Sequence, residues 1–109
     1  MYSATFIFIK KQFDEEFYQL DQAISEIAKQ TTGYIGEESW ENTETGLVST
    51  VYYWHTMDGL YELMQHPKHQ EAKAKQSNWL DGYQVIVSQV LRTYGDGKVQ
   101  HPAASFKHN

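Results

Sequence analysis

The side chains best suited to chemistry lie between residues 48 and 94, where histidines and aromatic residues are concentrated. His66 and His69 stand three positions apart in this stretch. A histidine with an ordinary pKa near ~6.5 can accept a proton at neutral pH, so His69 is a candidate general base. The chain contains no cysteine, which excludes thiolate nucleophiles, disulfides and cysteine-based zinc sites.

A metal site on these histidines is not expected. Such a site needs a third ligand, and His55 is the nearest further histidine. Pro67 begins a helix between His66 and His69, so their side chains need not converge. Two interpretations of His69 stay open, because it shares a helical stripe with Ala72. It is either a buried, hydrogen-bonded histidine or the preferred catalytic base.

The aromatic residues nearby also have two interpretations. Trp79 and Tyr83 either pack the end of a helix against a sheet or line a ligand pocket, since pockets are often aromatic with few polar groups. Tyr53 and Trp54 are neighbours in a strand, so their side chains point to opposite faces of the sheet. Only one of these two is therefore expected to reach a given cavity.

The elements that carry these residues follow from composition and periodicity. Residues 48–54 are β-branched and aromatic, which predicts a strand. Thr56 is the expected N-cap of a helix that is broken at His66-Pro67. Asp81-Gly82 is expected to end the second helical segment, with residue Trp79 still on its stripe, and a long strand follows over residues 83–94.

The first half of the chain supplies the remaining elements. Residues 2–10 predict a strand that is apolar on both faces, as in a central strand. An amphipathic helix follows from Asp14 to about Gln30. Residues 34–41 predict a polar edge strand, joined by a turn at 42–46 to the next strand as a hairpin. The order β-α-β-β-α-β predicts a ferredoxin-like α+β fold with an antiparallel sheet.

The second face of this sheet also has to be covered. Helices on one side cover a single face, yet the first and last strands are apolar on both. This predicts a homodimer in which a second subunit covers the other face. The domain is expected to span residues 1–95, followed by a polar tail at 96–109.

The composition of the chain limits the classes of partner that it is expected to bind. The net charge is −5, and no Lys/Arg cluster is present, so nucleic acid binding is not expected. The longest apolar run, residues 4–9, is too short to cross a bilayer. No membrane association is therefore expected, and cytoplasmic localisation is the prediction.

A family resemblance covers residues 2–95. The residues that carry it are Tyr53-Trp54, His66-Pro67-x-His69-x-x-Ala72, Trp79, Tyr83, Val85 and Tyr94-Gly95. This set resembles the antibiotic biosynthesis monooxygenase (ABM) domain family of dimeric α+β barrels. The resemblance implies a homodimer with a ligand cavity between each sheet and its helices. It also implies oxidation of a small aromatic or phenolic molecule by molecular oxygen, without a cofactor.

Within this resemblance His69 is the expected base. The expected substrate-binding residues are Tyr53, Trp54, His66, Trp79 and Tyr83. The heme-degrading branch of the superfamily has a ligating histidine, a tryptophan and an asparagine at positions that fall here on Lys73, Leu63 and near Phe6. Heme is therefore not expected. The alternative is a non-catalytic dimeric protein of the same fold that binds a small ligand or serves in stress.

Overall fold

The computed structural model describes residues 1–105, so residues 106–109 of the tail lie outside the described part. Its helices and strands follow the predicted order, with one helix broken in two. They are β1 Tyr2–Lys10, α1 Glu15–Lys29, β2 Tyr34–Glu41, β3 Leu47–Trp54, α2 Met57–Gln65, α3 Pro67–Lys75 and β4 Leu80–Gln89. Short 3₁₀ turns lie at Gln76–Asn78 and Pro102–Ser105. The predicted ferredoxin-like α+β class is confirmed.

The sheet has the strand order β2-β3-β1-β4, and all of its pairings are antiparallel. β1 pairs on both sides and is central, as its two apolar faces predict. β2 is an edge strand, in agreement with its polar sequence, and it forms the expected hairpin with β3. β4 is the other edge strand.

The starts of α1 and α3 have local causes, while the start of α2 lacks a side-chain cap. Asp14 caps α1, since its side-chain oxygen accepts a hydrogen bond from the Phe17 N–H at 2.9 Å. Thr56 occupies the N-cap of α2 with extended backbone but makes no side-chain cap bond. Pro67 stands in the first turn of α3, where its missing N–H is not needed. The predicted break between α2 and α3 is therefore present.

Two predicted boundaries at β4 are wrong. The helical segment does not extend to Asp81-Gly82, because β4 already begins at Leu80. The Trp79 carbonyl accepts hydrogen bonds from the Lys11 and Gln12 N–H groups, which draws the chain into the sheet early and leaves Trp79 outside the α3 helix.

The far end of β4 is also shorter than predicted. The strand ends at Gln89 and does not continue to residue 94. Gln89 lies opposite Tyr2, the first residue of β1, and the Val90 N–H bonds the Met1 carbonyl at 2.9 Å. The pairing of β4 with β1 therefore ends at the first residue of β1.

The sheet has a helix face and an open face. On the helix face, two clusters form the core: one around Ala28, Trp54, Leu60 and Leu63, the other around Leu20, Trp79 and Leu80. The open face carries apolar side chains that no helix covers, among them Ile86 and Trp40, which are exposed. Within residues 1–105, no helix is long and apolar enough to cross a membrane.

Candidate functional site

The edge strand β4 presents an uncovered apolar surface on the helix face of the sheet. Tyr83, Val85 and Val87 lie opposite Phe8, Phe6 and Ala4 of β1 and point to the same face. Their side chains are 47%, 49% and 47% exposed, although they adjoin the second core cluster. The Tyr83 and Phe6 rings lie 5.8 Å apart in a tilted pair. We call Tyr83, Val85 and Val87, together with Phe6, the β4 surface. Its composition is suited to contact with an aromatic ring.

His69 lies in α3, one turn before Ala72, which packs against the second core cluster. Its Nδ1 atom is buried and has no hydrogen-bond partner within the described residues. Burial lowers the pKa of His69 below its ordinary 6.5, and the Lys73 charge lowers it further, while the Met64 carbonyl acts in the opposite direction. His69 is therefore neutral at physiological pH. That is the protonation state that a general base requires.

The break between α2 and α3 fixes the orientation of α3. The Gln70 side chain donates a hydrogen bond to the Met64 carbonyl at 2.6 Å, which satisfies one of the α2 carbonyls that the break leaves free. His66 caps α3, since its Nδ1 accepts from the Lys68 N–H at 3.1 Å. His66 thus has a structural partner at the start of α3.

Trp54 is fully buried on the helix face. Its Nε1–H donates to the Thr31 hydroxyl at 2.8 Å, and that hydroxyl donates to the Ala28 carbonyl at 2.6 Å. Gly59 of α2 lies directly against the indole ring, and a Cβ there would collide with it and with the Thr32 carbonyl. Close helix packing on Trp54 therefore requires this glycine.

Trp79 is also buried by protein atoms. Its Nε1–H donates to the Asp14 carboxylate at 3.0 Å, and its ring meets Phe17 edge-on at 5.5 Å between centroids. Asp14 thus both caps α1 and binds the indole. These contacts join the start of α1 to the start of β4, next to Leu80.

Tyr53 lies on the open face, away from His69 and Trp54. Its hydroxyl donates to Glu38 at 2.9 Å, and the other Glu38 oxygen lies 2.8 Å from Nε2 of His101. Burial and the Glu38 carboxylate raise the pKa of Tyr53 to about 12. The pKa of Glu38 is lowered: its own burial opposes this change, but the hydrogen bonds from His101 and Tyr53 outweigh it. The structure therefore does not bring Tyr53 together with the other predicted site residues.

Sequence reasoning missed a polar cluster between α1 and β2. The Glu37 carboxylate accepts hydrogen bonds from the Tyr34 hydroxyl at 3.0 Å and from Ser25 at 3.4 Å. Burial raises the pKa of Asp21, and the nearby Glu37 charge raises it further, although Asp21 keeps part of its surface in solvent. Burial and the same carboxylates raise the pKa of Tyr52. The available signal was the i, i+4 spacing of Asp21 and Ser25 on α1.

The Asp21 carboxylate supports a pH prediction. Its raised pKa means that the folded chain binds this proton more tightly than the unfolded chain, so its contribution is present below pH ~4 and is lost as the pH rises through the folded pKa. Asp21→Asn is therefore expected to raise the melting temperature at pH 7 by only about 1–2 °C, because solvent screens the repulsion at this exposed position, with the gain shrinking toward pH 4. Melting curves of the variant across this range provide the measurement. Asp81→Asn, at an exposed position of β4, is the control, and an equal gain from it would remove the role of Glu37.

No group of three or more His, Asp or Glu side chains that could hold a metal ion occurs within residues 1–105. Two surface recesses flank the helices. One, of about 220 Å³, lies between α1 and α3 near Glu16 and Lys75. The other, of about 190 Å³, lies beside Glu62 and His66. Neither is lined by His69 or by the β4 surface.

Comparison with known proteins identifies the family. The chain is 32% identical over 92 residues to the uncharacterised protein YqjZ of Bacillus subtilis, a match that covers 84% of this chain and 80% of YqjZ. The chain belongs to the YqjZ family. No protein-family model matches it.

Several solved structures share the fold of this YqjZ-family chain. Rv0793 from Mycobacterium tuberculosis superimposes with a TM-score of 0.70 at 14% identity, over 86% of this chain and 98% of that protein. SnoaB from Streptomyces nogalater, a cofactor-independent oxygenase, gives 0.68 at 9% identity, over 84% and 94%. An antibiotic biosynthesis monooxygenase gives 0.62 at 10% identity, over 84% and 99%. The fold is therefore that of the ABM proteins, as the sequence resemblance indicated.

Proposed function

We propose that this YqjZ-family protein is a small homodimeric monooxygenase that oxidises an aromatic or phenolic compound with molecular oxygen, without flavin or metal. The observation that carries the proposal is the β4 surface, where one aromatic and two aliphatic side chains on the helix face remain about half exposed. A flat aromatic substrate would bury this surface by stacking on Tyr83 and Phe6. The fold shared with SnoaB, a cofactor-independent oxygenase, supports the same chemistry by analogy.

The chemistry assigned to the chain begins with proton removal. His69 accepts a proton from an acidic C–H or O–H of the substrate, and the resulting anion donates electrons to oxygen. For an activated methylene beside an aromatic ring, four electrons leave the carbon, one oxygen atom forms the new carbonyl, and the other leaves as water. The protein supplies binding, orientation and a base, and the substrate supplies the electrons.

The remaining predicted site residues take supporting roles in this proposal. Tyr83 contacts the substrate, while Trp54 and Trp79 hold the helices against the sheet from within the core. His66 fixes the start of α3 and hence the orientation of His69. Tyr53 belongs to the open face and would approach the second subunit.

A second candidate is a non-catalytic dimeric protein that binds a small ligand or serves in stress. The observation that favours it is that neither surface recess beside the helices is lined by His69 or by the β4 surface, so these recesses do not bring a bound molecule to the proposed base. Oxygen-electrode assays with small phenols and quinols separate the two candidates. Substrate-dependent uptake supports the monooxygenase. Saturable binding without uptake supports the alternative.

The dimer is proposed to form through the open faces of two sheets, which would bury Ile86 and its neighbours. Sedimentation at micromolar concentration is expected to give about twice the chain mass of 12.7 kDa. Ile86→Glu is expected to raise the dimer dissociation constant at least a hundredfold, roughly 3 kcal/mol or more, because it places an unpaired charge in the contact.

The matched control for the dimer is Gln89→Glu. It adds the same charge to β4, but at an exposed position on the helix face. A clean wild-type monomer would overturn the dimer. Equal effects of the two variants would show that net charge, and not the open face, controls association.

A further inference from the structure

The three lysines of α3 differ in their partners. Lys68 and Lys75 both pair with Glu71, at 3.9 and 3.6 Å, and Lys75 also pairs with Glu16 of α1 at 3.4 Å. Lys73 is exposed and forms no ion pair within the described part of the chain. The chain has a net charge of −5, so a lysine without a carboxylate partner is a local exception that can meet an anion from solution.

Lys73 lies with His69 on the flank of α3 that faces away from α1. The opposite flank carries Lys68, Glu71 and Lys75, which line the recess between α1 and α3. At 3.6 residues per turn, residues 69 and 73 lie about 150° around the helix axis from these three. The free lysine and the proposed base therefore share one flank of the helix.

This flank faces the β4 side of the sheet. Ala72, which lies between the two flanks, packs against the core cluster that contains Leu20 and Trp79, so this side of α3 points down to the sheet. α1 packs against β2 at one edge of the sheet, and β4 forms the other edge. The flank turned away from α1 is therefore turned toward β4, where the β4 surface stays about half exposed.

His69 and Lys73 also interact with each other. Side chains four positions apart on a helix have Cβ atoms about 5–6 Å apart. After burial, the Lys73 charge is the next cause that lowers the pKa of His69. A neutral imidazole and an ammonium group one helical turn apart can both approach one oxygen atom of a ring that lies on the β4 surface.

We propose that Lys73 selects aromatic ligands that bind as oxyanions, by holding their charged oxygen at the α3 side of the β4 surface. The catalytic part of this inference rests on the proposed function. When His69 removes the proton of a substrate hydroxyl, the O–H bond breaks, the proton passes to the imidazole, and the electron pair stays on the oxygen. The Lys73 ammonium stabilises that oxygen, since a positioned charge acts where negative charge develops. Phenols and enols are therefore favoured over aromatic compounds whose oxygen cannot ionise.

The test compares two probes of similar shape, para-nitrophenol and its methyl ether, para-nitroanisole. At an alkaline pH where the phenol is fully ionised, the first is a coloured oxyanion and the second stays neutral. Lys73→Gln is expected to weaken phenolate binding about tenfold, the effect of one hydrogen bond to a charged group. Ether binding is expected to stay unchanged. Lys73→Arg keeps the positive charge and is expected to keep most of the phenolate affinity. Spectrophotometric titration gives each dissociation constant.

The matched control is Lys68→Gln, which makes the same change of charge on the other flank of α3. Melting curves confirm that each variant folds. Equal phenolate affinity in wild type and Lys73→Gln would overturn the inference. So would a loss as large in the control, which would indicate net charge, or an equal loss for the ether, which would indicate a structural role.

Oxygen uptake, measured separately, distinguishes this inference from the proposed function. Selective phenolate binding that depends on Lys73, without uptake from any phenol, would support the oxyanion site and contradict only the monooxygenase. Uptake from phenols that Lys73→Gln leaves unchanged would support the monooxygenase and overturn the role of Lys73. A wild type that binds neither probe would overturn the oxyanion site.

Discussion

Replacing Trp54 with alanine is expected to lower the free energy of unfolding by about 3–5 kcal/mol, a large part of the 5–15 kcal/mol available to a typical domain. The indole is 0% exposed and packs between α1, α2 and Tyr52, so its loss leaves a cavity that a helix carrying Gly59 cannot fill. Urea denaturation followed by circular dichroism measures this change.

Trp54→Phe separates the burial of Trp54 from its hydrogen bond. Phenylalanine keeps most of the ring but removes the donor to Thr31, so a smaller loss of about 1–2 kcal/mol is expected. Thr31→Val removes the hydroxyl from the other side of the same bond and is the matched variant. An alanine variant within 1 kcal/mol of wild type would show that the two helices do not depend on this residue.

Replacing His69 with alanine is expected to reduce turnover of an oxidisable phenol about 10²–10⁴-fold, the usual contribution of a positioned general base. Ligand affinity is expected to change far less, since the proposed binding contacts lie on the β4 surface. Because the pKa of His69 is lowered by its burial and by Lys73, turnover is expected to stay level at neutral pH and to fall only at pH values below the ordinary histidine pKa of 6.5, as the base becomes protonated.

His55→Ala is the control for the histidine substitution, because His55 is exposed and lies before α2. Oxygen uptake by the wild type and both variants, measured across pH, provides the comparison. Uptake that is unchanged in His69→Ala would rule out His69 as the base. An equal loss in His55→Ala would point to a general effect on the fold.

The structural effect of His69 can be measured without a substrate. A lowered histidine pKa gives stability that is present above the ordinary value of 6.5 and is lost as the pH falls through the folded pKa. The wild type is therefore expected to lose stability between pH 6.5 and acid more steeply than His69→Gln. This comparison of stability checks the burial of His69 independently of catalysis.

Local chemistry made most of the elements predictable. β1 has apolar side chains on both faces and is the central strand. Pro67 breaks the second helix because its ring and its missing N–H cannot be accommodated inside a helix. The ends of β4 were not predictable in this way. β4 starts at Leu80 because the Trp79 carbonyl accepts hydrogen bonds from Lys11 and Gln12, which are distant in sequence. β4 ends at Gln89, opposite the first residue of β1.

The candidate site was predictable only in its residue types. The sequence indicated that Tyr53 and Trp54 face opposite sides, since side chains alternate along a strand. It did not indicate that the Tyr53 hydroxyl and His101 share Glu38, because His101 lies far along the chain from both residues and reaches β2 only through the return of the C-terminal segment. The Asp21–Glu37 pair was missed for the same reason: one residue is on α1 and the other on β2.

The sequence by itself determined the order of helices and strands, the broken helix and the apolar character of both sheet faces, because each depends on neighbours a few positions apart. Only the tertiary structure decided that the β4 surface stays uncovered, that the His69 Nδ1 atom is buried without a partner within the described residues, and that the C-terminal segment returns to β2, where His101 contacts Glu38. Those features depend on how far the helices reach across the sheet and on contacts between distant segments. Periodicity carries no information about either, since it fixes the face of a side chain and not what lies opposite it.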